Sequence, residues 1–412
     1  MRKLLSISFI LSFALLFWSC AGGGGSESSA DASATIGVTD TEITIGSFGP
    51  LTGPAALWGN IMKGMDAHFQ MINDEGGING RKINFIMKDD AYDPSRTVPA
   101  VRELVQRNEV FAFVGGIGTA PCMSVMDYIV EENIPWFAPT SGATNWSIPT
   151  KPNIFAVLPY YIDEGYIQAK YAVEDLNATK VGIIYQNDDV GKSALVGAKD
   201  YFKKNNMDFV SEVPVEVTDT DLSSHIARLQ DSGAEVVLLW TLPRQGVITV
   251  TSANRVGFEP QFIASFILSD MGLMHGLTKG AWEGVIYGSF GESPYSKTNE
   301  IVQKYKAATA KYYPDVTWGV FPYSGFAYVK PFADALRSLG DNVTREGIID
   351  ALNKMNSFDL IGVTAGYSKD NHQAIRSMQL LKCVGAEEYE ELSELITSDS
   401  DIHALIEELE AL

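Results

Sequence analysis

From residue 42 onward, short β-rich runs alternate with segments whose apolar residues recur at helical spacing. The run 42–48 predicts a strand, and the helical period after it ends at the glycine pair 76–77. The apolar positions of that period are Ile61, Met65, Phe69 and Ile72. Further strands are predicted over 82–87, 111–115 and 135–138, with helices over 98–105 and 120–132 between them. This order is typical of a parallel sheet covered by helices on both faces.

The same pattern restarts after residue 159 and predicts a second sheet. Its strands are expected over 180–185, 209–213, 235–240 and 261–264, with a helix over 192–204 and others between the later strands. The later segments, a helix over 323–339 and strands over 362–367 and 377–383, are too few for a third lobe. The prediction is therefore an α/β fold of two doubly wound parallel-sheet lobes, joined by a hinge that the chain crosses several times.

The first forty residues predict an extracytoplasmic protein. Arg2 and Lys3 precede a mostly apolar run over 4–17, which is typical of a secretory signal and short for a membrane span. Cys20 follows, and then a spacer rich in glycine and serine over 21–29. The leader resembles a bacterial lipoprotein signal, in which such a cysteine becomes the lipidated N-terminus. The alternative is an ordinary secretory peptide with a chance cysteine. The expected location is the periplasmic or extracytoplasmic face of the cell envelope, on a lipid anchor and a flexible linker.

Charge and composition exclude several classes of function. The formal net charge of −20 argues against a nucleic-acid partner. Half of that excess lies in the last 26 residues, which contain ten Asp or Glu and no Lys or Arg. Cys122 and Cys383 are expected to be two free, buried thiols, although one disulfide between them is an alternative.

Motifs of catalysis and metal binding are missing from the sequence. The five histidines are scattered, and there is neither a nucleophile elbow nor a phosphate loop. The carboxylates of 89–93 could suggest a metal site, but Asp93 before Pro94 is better explained as the N-cap of the next helix. Because Pro99 is awkward inside that helix, Thr97 is an alternative cap. We expect no enzyme, no metal and no cofactor.

The strongest candidate for a binding site is the run Gly115–Thr119. It follows a strand and opens a helix, so the glycines let a ligand approach the backbone beside free helix N–H groups, as in a carboxylate site. The alternative is that Thr119 only caps its helix. The run fails as a dinucleotide fingerprint, since its third glycine is absent and position 121 is proline. Trp58, just past the turns at 49–54, could stack over the same ligand or pack between the lobes.

These segments together resemble the type I periplasmic binding proteins of the branched-chain amino acid (Leu/Ile/Val-binding) family. The matching stretches are 43–54, 72–83 and 89–94, with weaker matches at 325–330 and 333–336, within a pattern over about 42–385. The expected limits are 1–20 for the signal peptide, 21–41 for the linker, 42–157 plus 292–361 for lobe 1, 158–291 plus 362–385 for lobe 2, and 386–412 for an acidic C-terminal extension.

The resemblance implies roles for particular residues. An aromatic at the position of Trp58 lines the side-chain pocket in the family, the hydroxyl at Thr119 binds the ligand carboxylate, and a second loop with Thr140 and Ser141 binds the head group. Tyr323 and Phe266 are expected to complete the apolar part of the pocket. The full set of expected ligand-binding residues is Trp58, Thr119, Thr140, Ser141, Asp189, Val190, Ser265, Phe266 and Tyr323.

The second lobe departs from the family pattern. The family often has Tyr-Gly after the first strand of the second lobe, where this chain has Asp189-Val190-Gly191. Amino-acid binders place an acidic partner for the ligand ammonium after a later strand, where this chain has Ser265 and Phe266. Asp189 or Asp270 could substitute; otherwise the ligand has no ammonium and is a carboxylate or a small amide. The common disulfide of the family is also missing, because Tyr92 and Gly118 occupy its two positions.

The implied function is capture of a small molecule by hinge closure. The chain would be the solute-binding protein of an ABC importer, monomeric, and would deliver a branched-chain amino acid or a related small carboxylate or amide to a permease in the inner membrane. The alternatives are a ligand-sensing receptor of the same fold without a transporter, and an extracellular hydrolase. Neighbouring permease and ATPase genes would favour the importer.

Overall fold

A computed structural model describes residues 35–360 and 362–412 of the chain. Within these residues, strands and helices largely alternate from residue 42 to residue 289, as the apolar pattern predicts, and three helices, five strands and a last helix follow. The strands are β1 (Glu42–Gly49), β2 (Lys82–Asp89), β3 (Ala112–Val114), β4 (Trp136–Phe137), β5 (Ile154–Phe155), β6 (Val181–Gln186), β7 (Ser211–Val215), β8 (Val236–Trp240), β9 (Gln261–Ala264), β10 (Ile286–Ser289), β11 (Phe358–Leu360), β12 (Val363–Ala365), β13 (Ser377–Cys383), β14 (Tyr389–Glu391) and β15 (Ile396–Thr397). The helices are α1 (Gly59–Asp74), α2 (Pro94–Gln106), α3 (Thr119–Glu131), α4 (Tyr161–Glu174), α5 (Asp189–Lys204), α6 (Ser223–Asp231), α7 (Pro243–Arg255), α8 (Met271–Leu277), α9 (Glu300–Tyr312), α10 (Val320–Ser338), α11 (Arg345–Asn353) and α12 (Ile402–Glu410).

The first sheet has five parallel strands in the order β2-β1-β3-β4-β5. Strand β1, between β2 and β3, is buried along most of its length, and Ile45 of β1 pairs with Ala112 of β3 in register. The strand order changes direction between β1 and β3. In a doubly wound sheet the loops that leave the carboxyl ends of these two strands flank the usual ligand crevice.

The second sheet repeats this arrangement. Its parallel part runs β7-β6-β8-β9-β10, and β13 continues it in the antiparallel sense with β14 at the edge. The order therefore reverses between β6 and β8, in the way the first sheet reverses between β1 and β3. Both sheets are doubly wound, and the predicted fold class of two parallel-sheet lobes is confirmed.

The chain crosses between the two sheets three times. It passes from β5 to α4, then from β10 to α9 and α10, and finally from β12 to β13. The first and third crossings lie side by side, because Ala156 N–H donates to His372 O at 2.9 Å and Ala374 N–H donates to Ala156 O at 3.0 Å. Connections between two sheets of this kind are typical of a hinge.

Helix α10 returns from the second crossing and packs on α1 beside the first sheet. Gly325 makes this close packing possible, since a Cβ atom there would lie 2.1 Å from the carbonyl oxygen of Ile61. The helix thereby places its first turns, which include Tyr323 and Tyr328, at the edge of the space between the two sheets.

The start of α2 is held as predicted by Asp93. Its carboxylate accepts from Ser95 N–H at 2.8 Å, and Pro94 is the first helical residue. The alternative that Thr97 caps the helix is wrong: Thr97 is buried in the first turns and its hydroxyl donates to Asp90 at 3.0 Å. Bonds to Asp90 and Asp93 fix the start of the helix at Pro94. Pro99 therefore lies inside the helix, in its second turn.

The acidic C-terminal segment is folded against the second sheet. Strands β14 and β15 both pair with β13, and α12 packs on α5. Ile402 and Leu405 of α12 are buried in an apolar cluster with residues of α4 and α5. Ser400 also donates to Asp163, a fully buried carboxylate that accepts both guanidinium bonds of Arg376 at 2.9 Å. The tail is therefore a structural part of this chain.

Cys122 and Cys383 are both free and buried, which confirms the prediction of two buried thiols. Among the described residues, none of the helices combines the length and apolar character that crossing a bilayer requires. The same residues bring together no group of His, Cys, Asp and Glu side chains that could hold a metal ion. The predicted signal peptide and Cys20 lie outside the described residues.

Candidate functional site

A cavity lies between the carboxyl ends of the two parallel sheets. It encloses about 820 Å³ of space that no atom fills, including the part open to solvent. Trp58 after β1 and Thr119 after β3 place it at the reversal point of the first sheet, where ligand crevices form in such sheets. The second sheet contributes from the loops after β6, β9 and β10, and α10 closes one side.

One corner of the cavity is rich in hydroxyl groups. Thr119 is buried, and its hydroxyl lies 2.7 Å from the hydroxyl of Ser141. The two loops that carry them are cross-braced, because Gly118 N–H donates to Thr140 O at 3.2 Å and Thr140 N–H donates to Gly116 O at 2.8 Å. The motifs that follow β3 and β4 are thus brought together, because these two strands are parallel neighbours and end at the same edge of the sheet.

The start of α3 faces this corner with free backbone donors. Gly118 occupies the N-cap position at φ +98, a conformation that favours glycine, and no side chain caps the helix. The alternative that Thr119 only caps its own helix is therefore wrong. The N–H groups of the first helical turn have no partner within the helix, and together with the helix dipole they favour an anionic or carbonyl oxygen at this end.

Tyr161, which the sequence analysis missed, completes the hydroxyl-rich corner from the other lobe. It is the first residue of α4, and its N–H donates to Gly142 O at 2.9 Å. Burial raises the pKa of its phenol to about 12, although hydrogen bonding with Gly142 and with the hydroxyls of Thr119 and Ser141 favours a lower pKa. Tyr161 therefore remains a protonated donor at neutral pH. No motif pointed to it, because its place depends on the first crossing between sheets.

Aromatic side chains form much of the remaining wall. The ring of Trp58 packs 5.7 Å from that of Tyr92, and its indole N–H donates at 3.1 Å to Ile267 O in the turn after β9. Trp58 thus lines the cavity and also packs between the lobes, so the two interpretations of this residue are compatible. Phe266 stacks on Tyr161 at 5.6 Å, and Tyr323 faces the cavity from α10.

The structure does not bring all predicted site residues to the cavity wall. Trp58, Thr119, Thr140, Val190, Phe266 and Tyr323 line it. Ser141 lies directly behind Thr119. Asp189 is exposed at the start of α5, outside the wall, whereas its neighbour Val190 is buried and faces the cavity.

Ser265 lies behind Phe266 and supports it. Its hydroxyl donates to Glu164 at 2.7 Å, and Phe266 N–H donates to the other carboxylate oxygen at 2.7 Å. Burial raises the pKa of Glu164 to about 8, although these bonds oppose the shift. At neutral pH the protonated form is favoured, so Glu164 positions the Phe266 turn without offering a charge to the cavity.

Asp270 is also used by the protein itself. Asp270 is buried, and its carboxylate accepts from Phe321 N–H of α10 at 3.0 Å and from Leu273 N–H at 3.2 Å. It also accepts a hydrogen bond from the Tyr295 hydroxyl at 3.3 Å. It joins the turn after β9 to the first turn of α10, across the space between the sheets. It is not among the residues that line the cavity.

A carboxylate that the sequence analysis missed does line the cavity. Glu292 follows β10 in the second crossing and is half-buried, and it also borders two neighbouring surface depressions. Its charge adds to burial in raising the pKa of the nearby Tyr323. The described wall residues include no lysine, arginine or histidine. Any oxygen-bearing head group would therefore be held by hydroxyls and backbone N–H groups.

Comparisons with known proteins agree with this architecture. A family model described as periplasmic binding protein matches residues 42–388. The chain is 30% identical over 230 residues to Leu/Ile/Val-binding protein homolog 3 of Brucella melitensis biotype 1, an alignment that covers 55% of this chain and 62% of that protein.

Solved structures share the fold at low sequence identity. A branched chain amino acid ABC transporter protein from Thermus thermophilus with bound valine is 18% identical, with a TM-score of 0.80 over 91% of this chain and 100% of that one. A fatty acid ABC transporter substrate-binding protein from Thermomonospora curvata is 23% identical, with a TM-score of 0.78 over 89% and 95%. One of these proteins holds valine and the other is named for fatty acids, so the fold alone does not identify a ligand.

Proposed function

This chain belongs to the periplasmic binding protein family, and we propose that it captures a small ligand for an ABC importer. The ligand is a branched-chain amino acid or a related small carboxylate or amide. The observation that carries the proposal is the cavity between the carboxyl ends of two doubly wound sheets, with a hydroxyl-rich corner and a remaining wall that is mostly aromatic and aliphatic. Its partner is an ABC permease in the inner membrane, and the chain acts as a monomer.

In the proposed binding mode, the ligand's polar head lies at the start of α3. Thr119 and the Thr140–Ser141 loop supply hydroxyls, and the first helical turn supplies N–H groups. The apolar body lies against Trp58, Phe266 and Tyr323. Charge-assisted bonds to a carboxylate are stronger than bonds between neutral groups, so a carboxylate is the head group that this corner favours most.

Hinge closure follows from contacts that the two lobes make around the cavity. We assign residues 42–157 plus 292–365 to one lobe, because β12 pairs with β11, and 158–291 plus 377–412 to the other, because β14 and β15 pair with β13. The predicted limits of 361 and 385 move accordingly. Trp58 and Asp270 each bond across the space between them. A ligand that touches both walls adds its own contacts to these bonds only when the lobes are together. It therefore shifts the population toward the closed form, which the permease recognises.

Thermal unfolding tests the proposed capture of a small ligand. We expect at least one of L-leucine, 4-methyl-2-oxopentanoate, phenylacetate and phenylacetamide to raise Tm, since a ligand at 100 times its Kd stabilises the folded state by about 2.7 kcal/mol. Isoamylamine keeps an apolar body but lacks the oxygen-bearing head, and should leave Tm unchanged. If none of the four compounds shifts Tm at millimolar concentration, the proposed ligand class is wrong.

The anchor is a separate proposal that rests on the leader sequence, which lies outside the described residues. We propose that Cys20 is lipidated and that the chain after it tethers the domain to the membrane. The predicted linker limit of 41 is too late, because Gly37 O accepts from Thr44 N–H and Thr39 O accepts from Arg81, both at 2.8 Å. Cys20→Ser should then move the protein from the membrane fraction to the soluble fraction without changing its Tm. Cys122→Ser is the matched control and should stay with the membranes. A Cys20→Ser protein that still sediments with membranes would contradict the anchor.

A further inference from the structure

The side chain of Tyr92 is held rigidly at the wall of the cavity. Ala91 and Tyr92 both have positive φ, at 51° and 65°, which is rare for residues other than glycine. Tyr92 N–H donates to Asp90 at 2.8 Å, and this bond fixes the turn. A Cβ atom at Gly118 would lie 2.2 Å from the Tyr92 ring, so the ring occupies space that only glycine leaves free. The loop is therefore shaped to place this ring.

The phenol hydroxyl at the end of this rigid side chain has no hydrogen-bond partner among the described residues. Tyr92 is 8% exposed and lines the cavity. Burial, strengthened by the charge of Asp188, raises the pKa of the phenol well above its ordinary value, so the hydroxyl remains a donor at physiological pH. The Gln186 side chain of the second sheet is near enough to oppose that shift by hydrogen bonding. Its amide N–H donates to Asp188, and its Oε1 atom, like the Tyr92 hydroxyl, has no partner at hydrogen-bond distance among the described residues. Buried hydroxyls are almost always bonded, so this one needs an explanation.

We propose that the Tyr92 hydroxyl donates a hydrogen bond to an oxygen of the bound head group and thereby determines specificity. The inference rests on the proposed function, because it concerns the same cavity. It adds a donor at the position where the related family has a disulfide. With Thr119 and Tyr161 it makes a head-group site of neutral hydroxyl donors, which suits a carboxylate or a carbonyl oxygen.

Tyr92→Phe separates this role from a structural one. The substitution keeps the ring that packs against Gly118 and Trp58 and removes only the hydroxyl. We expect titration calorimetry to show at least 10-fold weaker binding of 4-methyl-2-oxopentanoate and of L-leucine. The Tm of the ligand-free variant should be unchanged or higher, because a buried group without a partner is removed. Tyr201→Phe is the matched control: its hydroxyl bonds Glu174 at 3.0 Å, and ligand affinity should not change.

Three results would overturn the inference. Equal affinity of wild type and Tyr92→Phe would show that the hydroxyl does not contact the probes. A lower Tm of the ligand-free variant would show that a protein group is the partner. If Tyr92→Phe weakens binding in the wild type but not in a Gln186→Met protein, the hydroxyl acts through a bond to Gln186 and not through a bond to the ligand. If wild type binds none of the probes, the proposed function fails, while the Tm of the ligand-free variant still tests Tyr92.

Discussion

Thr119→Val should weaken binding of 4-methyl-2-oxopentanoate by about 1.5–3 kcal/mol, roughly 10- to 150-fold, the range for losing a hydrogen bond to a charged group. Valine keeps the branched shape of threonine and removes the hydroxyl that lies 2.7 Å from Ser141. Calorimetry at constant temperature measures the change. Thr119 is buried at the start of α3, so a replacement must match its shape, and valine does.

Two further variants separate binding from folding. Thr119→Ser restores the hydroxyl and should recover most of the affinity. Thr278→Val removes another buried threonine hydroxyl, which donates to Met274 O at 2.8 Å away from the cavity. It should lower Tm without changing affinity. Unchanged affinity in a folded Thr119→Val protein would show that Thr119 has only a structural role.

The sequence predicted most strands of the parallel sheets, because buried parallel strands have a strong local signature, but it did not predict β5 or β10, and β7 lies two residues later than expected. β9 and β13 have the predicted limits, and β1 differs by one residue. The helix starts were harder to predict. For α2, the sequence left two possible N-caps, Asp93 and Thr97. The structure excludes Thr97 because its hydroxyl bonds Asp90, a contact that depends on the tertiary fold and not on the local sequence.

The candidate site could be predicted only where a motif follows a strand end. Thr119 and Thr140 belong to that class, since parallel strands bring successive carboxyl ends to one edge of the sheet. Tyr161 and Glu292 reach the cavity from the crossings between lobes, where the sequence has no periodic signal. Asp189 and Val190 are adjacent, yet only Val190 faces the cavity, because a helix turns its neighbouring side chains in different directions.

The largest effect expected is a preference for ligands without an ammonium group. We expect 4-methyl-2-oxopentanoate to bind at least about 100-fold more tightly than L-leucine, a difference of about 2.7 kcal/mol. A buried ammonium without a counter-charge costs several kcal/mol. Asp189 is exposed, and Asp270 is bonded to the backbone of α10. Asp188 is outside the cavity wall and accepts from Val190 N–H at 3.0 Å and from the Gln186 amide. None of the three is placed to pair with a ligand in the cavity. Glu164 favours its protonated form and lies behind Phe266.

The test of this preference must include Glu292, because Glu292 is the one carboxylate in the described wall and so the one candidate there for pairing with an ammonium. It is half-buried and also borders two surface depressions, so water can screen its charge more than that of a buried group. We therefore expect Glu292→Gln to leave leucine binding weak and analogue binding intact. Micromolar leucine binding that Glu292→Gln abolishes would place the counter-charge on the second crossing. Micromolar leucine binding with no response to the deaminated analogue would restore an ordinary amino-acid specificity.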